Sequence, residues 1–282
     1  MKKFAVIGNP IQHSKSPIIH QHFAEQAGIE IEFLKLEPSV HHFESTVDDF
    51  FKNGGLGLSV TSPFKIDALC FADVYSNYAD WACSSNTLSL LDDIIIADNT
   101  DGRGFINDLK LNKNFVLNDK KILLIGAGGS SRGLLLPLLE ENPKLLHIAN
   151  RTKEKAEELK HLAFNFDKHK HFNVSISSSS IENINDTFDL IINATSANLN
   201  GQNIYFNLEW LHPHSLVYDL MYSDELTPFL KFISKSNVEF SDGLGMLVEQ
   251  AALAFQIWNN FKPDSARSEE HTSELQSRLH LV

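Results

Sequence analysis

The stretch Lys121–Thr152, KILLIGAGGSSRGLLLPLLEENPKLLHIANRT, constrains this chain more than any other. The apolar run Ile122-Leu123-Leu124-Ile125 stops at Gly126-Ala127-Gly128-Gly129, a helix-length apolar pattern follows through Leu134–Leu139, and Leu145–Ala149 reads as a second short strand. Strand, glycine turn, helix and strand make one βαβ unit. In such a unit glycines let the backbone approach a pyrophosphate, and the free N–H groups at the helix start, carrying about half a positive charge, receive it. A dinucleotide is the expected guest. The glycine pattern is also compatible with an ordinary turn, and its third fingerprint position holds Ser131 rather than Gly or Ala.

The end of the second strand carries more information. A unit that binds NAD places Asp or Glu there, against the ribose 2′-hydroxyl, whereas this chain has Asn150-Arg151-Thr152. A guanidinium forks onto phosphate oxygens that an acid would repel, so NADP is favoured over NAD. The competing account is that Arg151 merely opens the solvated helix Lys153–Lys160.

With 282 residues and 43% apolar content the chain suits two medium domains with buried cores. Its longest apolar runs are too short to cross a bilayer, and Met1-Lys2-Lys3 leads into a strand with no signal-peptide core, so a cytoplasmic, non-membrane protein is expected. Cys70 and Cys83 form no disulfide framework, the thirteen histidines form no ligand motif, and no metal is expected. A net charge of −12 argues against nucleic acid as a partner. Arg267–Ser277, RSEEHTSELQS, reads as the translation of a sequencing adapter, so 267–282 is expected to be a non-native tail and is set aside.

Before the glycine turn the pattern alternates. Phe4–Ile7, Ile31–Leu36 and Leu56–Val60 read as strands, Pro17–Ala27, His42–Lys52 and Pro63–Ala72 as helices, and Thr87–Leu91 with Ile94–Ala97 as a hairpin turning at Asp92-Asp93. A helix over Gly104–Leu111 follows, placing a domain boundary near residue 102. Beyond Thr152 come a helix to about Leu162, a polar low-complexity stretch at Ser175–Ser180, and strands at Leu190–Asn193, Leu216–Asp219 and Val238–Phe240. A helix at Thr227–Ser234 and a long one-faced apolar helix, Met246–Trp258, complete the pattern. The fold class is α/β: an N-terminal α/β domain plus a doubly wound Rossmann-type domain, with the last helix returning to cover the first.

Four loops of the first domain follow strands and carry small polar donors, and in an open α/β sheet such loops converge. In Gly8–Pro17, Pro17 is placed as a first helical residue and Ser16 as its N-cap, so Ser14 and Ser16 offer hydroxyls beside free helix N–H groups; a plain serine cap is the bland alternative. In Ser59–Lys65, Pro63 reads as the first helical residue and Lys65 lies in the first turn, where a cation opposes the helix dipole. Lys65 is either solvated or placed to give and take a proton. The remaining loops are Ser84–Thr87, where Asn86 offers donor and acceptor, and Asp98–Gly102, where Asp101 either caps the helix at Gly104 or faces Lys65.

The ordered set HSKSP, VTSPFK, NT, DNTDG, GAGG, NRT, INATS, YDLMY, TPFL and DGLGMLVEQ resembles the shikimate dehydrogenase family in order and spacing, over residues 4 to about 262. The resemblance implies reversible reduction of 3-dehydroshikimate to shikimate with NADPH, toward chorismate and the aromatic amino acids, with Lys65 and Asp101 catalytic. It matches Ser14, Ser16, Thr61, Asn86, Asp101, Tyr222 and Gln250 to substrate ligands. It matches Gly126, Ala127, Gly128, Gly129, Ser130, Asn150, Arg151, Thr152, Lys155, Leu220 and Gly243 to cofactor contacts. It also implies a substrate domain of residues 1–102 plus 243–262 and an NADP domain of 103–242, separated by a cleft, in a monomer or homodimer.

The chain departs from the family's pattern in four places. Ser59 stands where Asn is usual, Ala82-Cys83-Ser84-Ser85-Asn86-Thr87 replaces Ala-Gly-Ala-Val-Asn-Thr, Asn77 stands where an acid is common, and Asn198 where Gly is. Rival readings are an NAD-dependent quinate/shikimate dehydrogenase, and a non-catalytic paralogue that binds NADP or a related metabolite.

Overall fold

The computed structural model describes residues 1–170, 172–195, 205–223 and 225–266, the side chains of 167–170 excepted. Ser196 of the INATS motif, the Asn198 departure and the 267–282 tail lie outside the described residues. The chain divides into two compact units, Met1–Asn107 with the segment from Leu247 onward, and Asp108–Met246.

The first unit holds β1 (Lys2–Ile7), α1 (Ser16–Ala27), β2 (Ile31–Leu36), α2 (Phe43–Lys52), β3 (Gly55–Val60), α3 (Lys65–Phe71), β4 (Val74–Tyr75), α4 (Asn77–Ala82), β5 (Thr87–Leu91), β6 (Ile94–Asp98) and α5 (Asp101–Asn107). Its sheet runs β2-β1-β3-β5-β6-β4. The β1, β2 and β3 strands are parallel, β5 runs antiparallel to β3 and β6, and β4 is parallel to β6. Successive side chains of a strand point to opposite faces, so β1 feeds two cores. Ala5 and Ile7 join Phe43, Val47, Phe50 and Phe51, the apolar stripe of α2, while Phe4 joins Ile19 and Phe23 of α1.

Phe4 shares that second core with Val248, Ala251 and Phe255 of α9 (Leu244–Asn259). Trp258 fixes the helix to the sheet: its ring stacks on Phe4 at 5.0 Å and its indole N–H donates to the Leu88 carbonyl at 3.0 Å. Gly57 makes room, since a Cβ there would sit 2.5 Å from the indole. A fully buried aromatic such as Phe4 contributes roughly 1.5–3 kcal/mol.

The second unit holds β7 (Lys121–Ile125), α6 (Gly129–Glu140), β8 (Leu145–Asn150), α7 (Lys153–Lys170), β9 (Ser175–Ser180), β10 (Leu190–Asn193), β11 (Leu216–Asp219), α8 (Pro228–Ile233) and β12 (Glu239–Ser241). The sheet is all parallel, in the order β12-β11-β10-β7-β8-β9. Read from β9, this is the doubly wound 3-2-1-4-5-6 order, whose switch point lies between β7 and β10. The turn after β7 is therefore where that order places a dinucleotide.

Several expectations shift. The polar stretch Ser175–Ser180 is not irregular: it is β9, paired with β8 from Leu145↔Ser175 to Asn150↔Ser180. It is an edge strand, which can be polar, and its serines are tied inward where His147 bonds Ser177 Oγ at 2.7 Å and Ser179 Oγ at 2.9 Å. The helix expected at Gly104–Leu111 begins earlier, at Asp101, and runs on as a π-helical turn over Asp108–Asn112. There Asp108, fully buried, accepts from Asn112 Nδ2 and the Tyr218 hydroxyl, each at 2.7 Å. The α7 helix extends to Lys170, well past Leu162, and β4 and α4 are elements that hydrophobic periodicity missed because both are short.

Candidate active site and cofactor site

Two loops set the centre of the first unit. After β3 the chain turns through Thr61–Phe64, and α3 begins at Lys65 rather than at Pro63, because Pro63 lies in the turn and Phe64 is the N-cap residue. Lys65 is thus the first helical residue, closer to the positive end of the helix than the proline rule suggests. After β6, Asp101 likewise opens α5 and is not the cap of a helix at Gly104; its N–H is held by Asn99 Oδ1 at 3.2 Å. That leaves its carboxylate available for side chains. Lys65 Nζ lies 2.5 Å from Asp101 Oδ2, with 30% and 15% of the two side chains exposed, a half-sheltered pair open on one side.

The other carboxylate oxygen, Asp101 Oδ1, accepts from Asn86 Nδ2 at 2.8 Å. Asn86 is buried at 3% exposure and its carboxamide is a hub. Its oxygen accepts from Thr100 N and from Thr87 Oγ1, each at 2.8 Å. Its nitrogen faces Asp101, Thr100 Oγ1 at 2.9 Å and Gln250 Oε1 at 3.1 Å. Two hydrogens confront three acceptors, so the most distant, Gln250 Oε1, is the one a substrate hydroxyl could serve. Gln250 reaches this place on α9 because Gly104 lets the helices touch: a Cβ on Gly104 would sit 2.5 Å from Gln250 N.

The serine replacements in the Asn86 loop find partners. The one Ser85 hydroxyl hydrogen is shared between the carbonyls of Asp98 at 2.9 Å and Thr87 at 3.0 Å, and Ser85 N donates to the Lys65 carbonyl at 2.8 Å. The Ser84 carbonyl accepts from Asn99 Nδ2 at 3.0 Å. Cys83, where the pattern has Gly, adopts the left-handed conformation at φ 49°, one that glycine takes without strain. A polar brace has replaced an apolar one under the same loop. Sequence reasoning missed Thr87, Asn99 and Thr100 as members of this network, although all three stand inside the NT and DNTDG strings.

Ser14 and Ser16 lie at the start of α1, but Ser16 is its first helical residue and Lys15 the N-cap, so Ser16 is not the cap. Among the described residues no side chain caps α1; Ser14 Oγ, one residue before the N-cap, accepts from Ser16 N at 3.3 Å. Thr61 flanks the same loop, as a Cβ on Gly8 would sit 2.4 Å from its methyl group. Tyr222 belongs to the other unit, where burial pushes its phenol up from the ordinary range.

The second unit carries the cofactor candidates. Gly126 turns at φ +113°, a left-handed geometry that favours glycine, and a Cβ there would press within 3.0 Å of the Ala194 carbonyl. Ser131, the third fingerprint position, is fully buried and donates to the Gly126 carbonyl at 3.0 Å, which closes the turn without a third glycine. By contrast, Cβ atoms on Gly128 and Gly129 would meet nothing within 4 Å among the described residues. An open backbone face at the N-terminus of α6, with Ala127 beside it and Ser130 exposed, fits a pyrophosphate. After β8, Arg151, Thr152 and Lys155 are exposed, and Asn150 Nδ2 bonds the Thr152 carbonyl at 2.9 Å to fix the bend. These residues fit a 2′-phosphate. Leu220 and Gly243 meet at the ends of β11 and β12, where a Cβ on Gly243 would sit 2.2 Å from the Leu220 carbonyl.

Among the described residues no group of three or more His, Cys, Asp or Glu could hold a metal ion, and no helix is long and apolar enough to cross a membrane.

The family models match in chain order: the shikimate dehydrogenase substrate binding domain over residues 6–88, shikimate / quinate 5-dehydrogenase over 109–203, and the shikimate 5′-dehydrogenase C-terminal domain over 243–267. The shikimate dehydrogenase (NADP(+)) of Psychromonas ingrahamii is 44% identical over 267 residues, 94% of this chain and 95% of that protein. Among solved structures, the Ael1 enzyme of Pseudomonas putida is 36% identical with a TM-score of 0.84, covering 96% of this chain and 98% of that one. The shikimate 5-dehydrogenase of Thermus thermophilus, solved with NADP(H) and shikimate, is 26% identical with a TM-score of 0.83 over 96% of this chain and 98% of its own. With sheet order, glycine turn and full-length similarity in agreement, the chain belongs to the shikimate dehydrogenase family.

Proposed function

We infer that this chain catalyses the reversible, NADPH-dependent reduction of 3-dehydroshikimate to shikimate, on the path to chorismate and the aromatic amino acids. The reading is carried by one observation: Asp101 holds Lys65 Nζ at 2.5 Å on one oxygen and Asn86 Nδ2 at 2.8 Å on the other. Bound NADPH supplies the hydride that forms the new C–H bond at the ring ketone. As the C=O π electrons move onto oxygen, Lys65 donates a proton to it and is reprotonated from solvent. Asp101 keeps the ammonium aimed, and with Asn86 and Gln250 orients a ring hydroxyl. Ser14, Ser16 and Thr61 are the donors for the substrate carboxylate, and Tyr222 a further substrate contact.

The cofactor is held by Gly126, Ala127, Gly128, Gly129 and Ser130 at its pyrophosphate, and by Asn150, Arg151, Thr152 and Lys155 at its 2′-phosphate, with Leu220 and Gly243 toward the nicotinamide. The unit of Met1–Asn107 with the segment from Leu247 onward is the substrate domain and Asp108–Met246 the cofactor domain, a boundary a few residues later than the 102 and 243 expected from sequence. The enzyme acts in the cytoplasm as a monomer or homodimer, without nucleic acid or membrane partners.

The test is the loss of NADPH absorbance with 3-dehydroshikimate, repeated with NADH and, in the oxidative direction, with quinate. Turnover confined to NADPH and 3-dehydroshikimate is the expected result. Tight binding without turnover would make the chain a metabolite-binding paralogue, and preference for NAD and quinate would make it the sister activity.

A further inference from the structure

We propose that the hydroxyl of Thr87 is a positioning group for the known reaction, acting on substrate only through Asn86; the proposal rests on the functional reading above. Thr87 opens β5, is fully buried, and pairs with Ser59 on one side and Asp98 on the other. Its Oγ1 donates to Asn86 Oδ1 at 2.8 Å, and Thr100 N donates to the same oxygen at 2.8 Å. A carboxamide oxygen has two lone pairs, and these two short donors fill them better than the Thr100 hydroxyl, which lies farther off at 3.2 Å.

That decides which way the amide faces. A backbone N–H cannot accept a hydrogen bond, so the NH2 end cannot turn toward Thr100 N and must point at Asp101 Oδ1, Thr100 Oγ1 and Gln250 Oε1. With the Thr87 hydroxyl gone, the oxygen keeps one short donor, Thr100 N at 2.8 Å, and the longer Thr100 Oγ1 at 3.2 Å, so the plane of the amide is held less firmly. The carboxamide can then rock about its last torsion, and the contact that links it to the Lys65 partner, Asp101, loosens.

The experiment is a double-mutant cycle in the full chain. Thr87→Val keeps the shape and the strand preference while deleting the hydroxyl, Thr87→Ser restores it, and Asn86→Ala removes the group it acts on. Initial rates of shikimate oxidation with NADP+ are measured for these three, for Asn86→Ala/Thr87→Val and for the parent. Thr87→Val should lower kcat/KM for shikimate by roughly 3- to 15-fold, the loss of about one hydrogen bond, with the KM for NADP+ held within about twofold. Thr87→Ser should match the parent, and Thr87→Val should have no further effect once Asn86 is alanine.

Parent-like kinetics for Thr87→Val, an equal loss in Thr87→Ser, or the same loss in both Asn86 backgrounds would overturn the proposal. If Thr87→Val does not fold, Thr87→Ala replaces it in the cycle. A parent that binds shikimate without turnover would refute the functional reading alone, because the same cycle is then read from shikimate dissociation constants. A parent that does not bind shikimate refutes both.

Discussion

The two units solve the same problem, holding a polar ligand, in opposite ways. In the first, the candidate site is wired to itself: Lys65, Asp101, Asn86, Thr100 and Gln250 form one chain of side-chain bonds between 2.5 and 3.4 Å. In the second, the candidate site is backbone and exposed side chains: Cβ atoms on Gly128 and Gly129 would meet nothing among the described residues, and Arg151, Thr152 and Lys155 are exposed. Preorganised groups lower a reaction barrier because they need no rearrangement as charge develops. Exposed charges suit a partner that brings its own phosphates. The comparison assigns rate to the first unit and affinity to the second, and variants should separate along that line.

The largest separation is expected from Lys65→Ala. If the ammonium provides the proton, kcat should fall by roughly 10²- to 10⁴-fold with the dissociation constant for NADPH unchanged, as read by steady-state rates and cofactor fluorescence. Turnover at the parent rate would dissolve the contrast, since the wired cluster would then be scaffolding. Arg151→Ala probes the other arm. It should weaken NADPH by about 1.5–3 kcal/mol, or roughly ten- to two-hundred-fold, and leave NADH and kcat at saturating cofactor alone. Equal weakening of both cofactors would make Arg151 a structural residue of the bend after β8.

The same contrast explains what could be read before any coordinates. The glycine turn was legible because backbone geometry dictates residue type there: Gly126 sits at φ +113°. Strands of the second unit were legible because a parallel sheet buries both faces and writes continuous apolar runs such as Ile122–Ile125. Lys65 and Asp101 could be flagged as misplaced or ambiguous charges, yet their meeting could not be derived from spacing, because they are 36 residues apart and the contact depends on β3 and β6 lying in one sheet. The serine strand β9 was missed because its stability comes from pairing with β8 and from His147, neither of which leaves a hydrophobic period. Ser16 and Pro63 were placed one or two positions off, since turns preceding both helices absorb the residues that local rules assign to a cap.

The smallest effect separates the units by acid rather than by ligand. His20, on α1, stacks against Phe33 at 4.5 Å and Trp258 at 5.2 Å, and neither ring nitrogen has a hydrogen-bond partner among the described residues. Burial lowers its pKa from 6.5 to about 3. In the second unit, His147 is also lowered by burial, but both of its nitrogens are bonded to serines. The unfolded chain therefore takes up a proton at position 20 that the folded first unit refuses, so stability is complete above about pH 6.5 and declines as pH falls toward about 3. At one unit of pKa per 1.36 kcal/mol, the loss is on the order of 1 kcal/mol by pH 5.5. Urea titrations of the parent and of His20→Leu at pH 7.5 and 5.5 measure it: the parent should lose that amount more than the variant. Amide exchange should show the extra opening in β2, α1 and the C-terminal part of α9, where the ring is packed, with β7 and β8 no more affected than in the variant. A parent and variant with the same acid slope would mean that the ring is protonated in place, and that the aromatic core of the first unit is as tolerant of acid as the bonded histidine of the second.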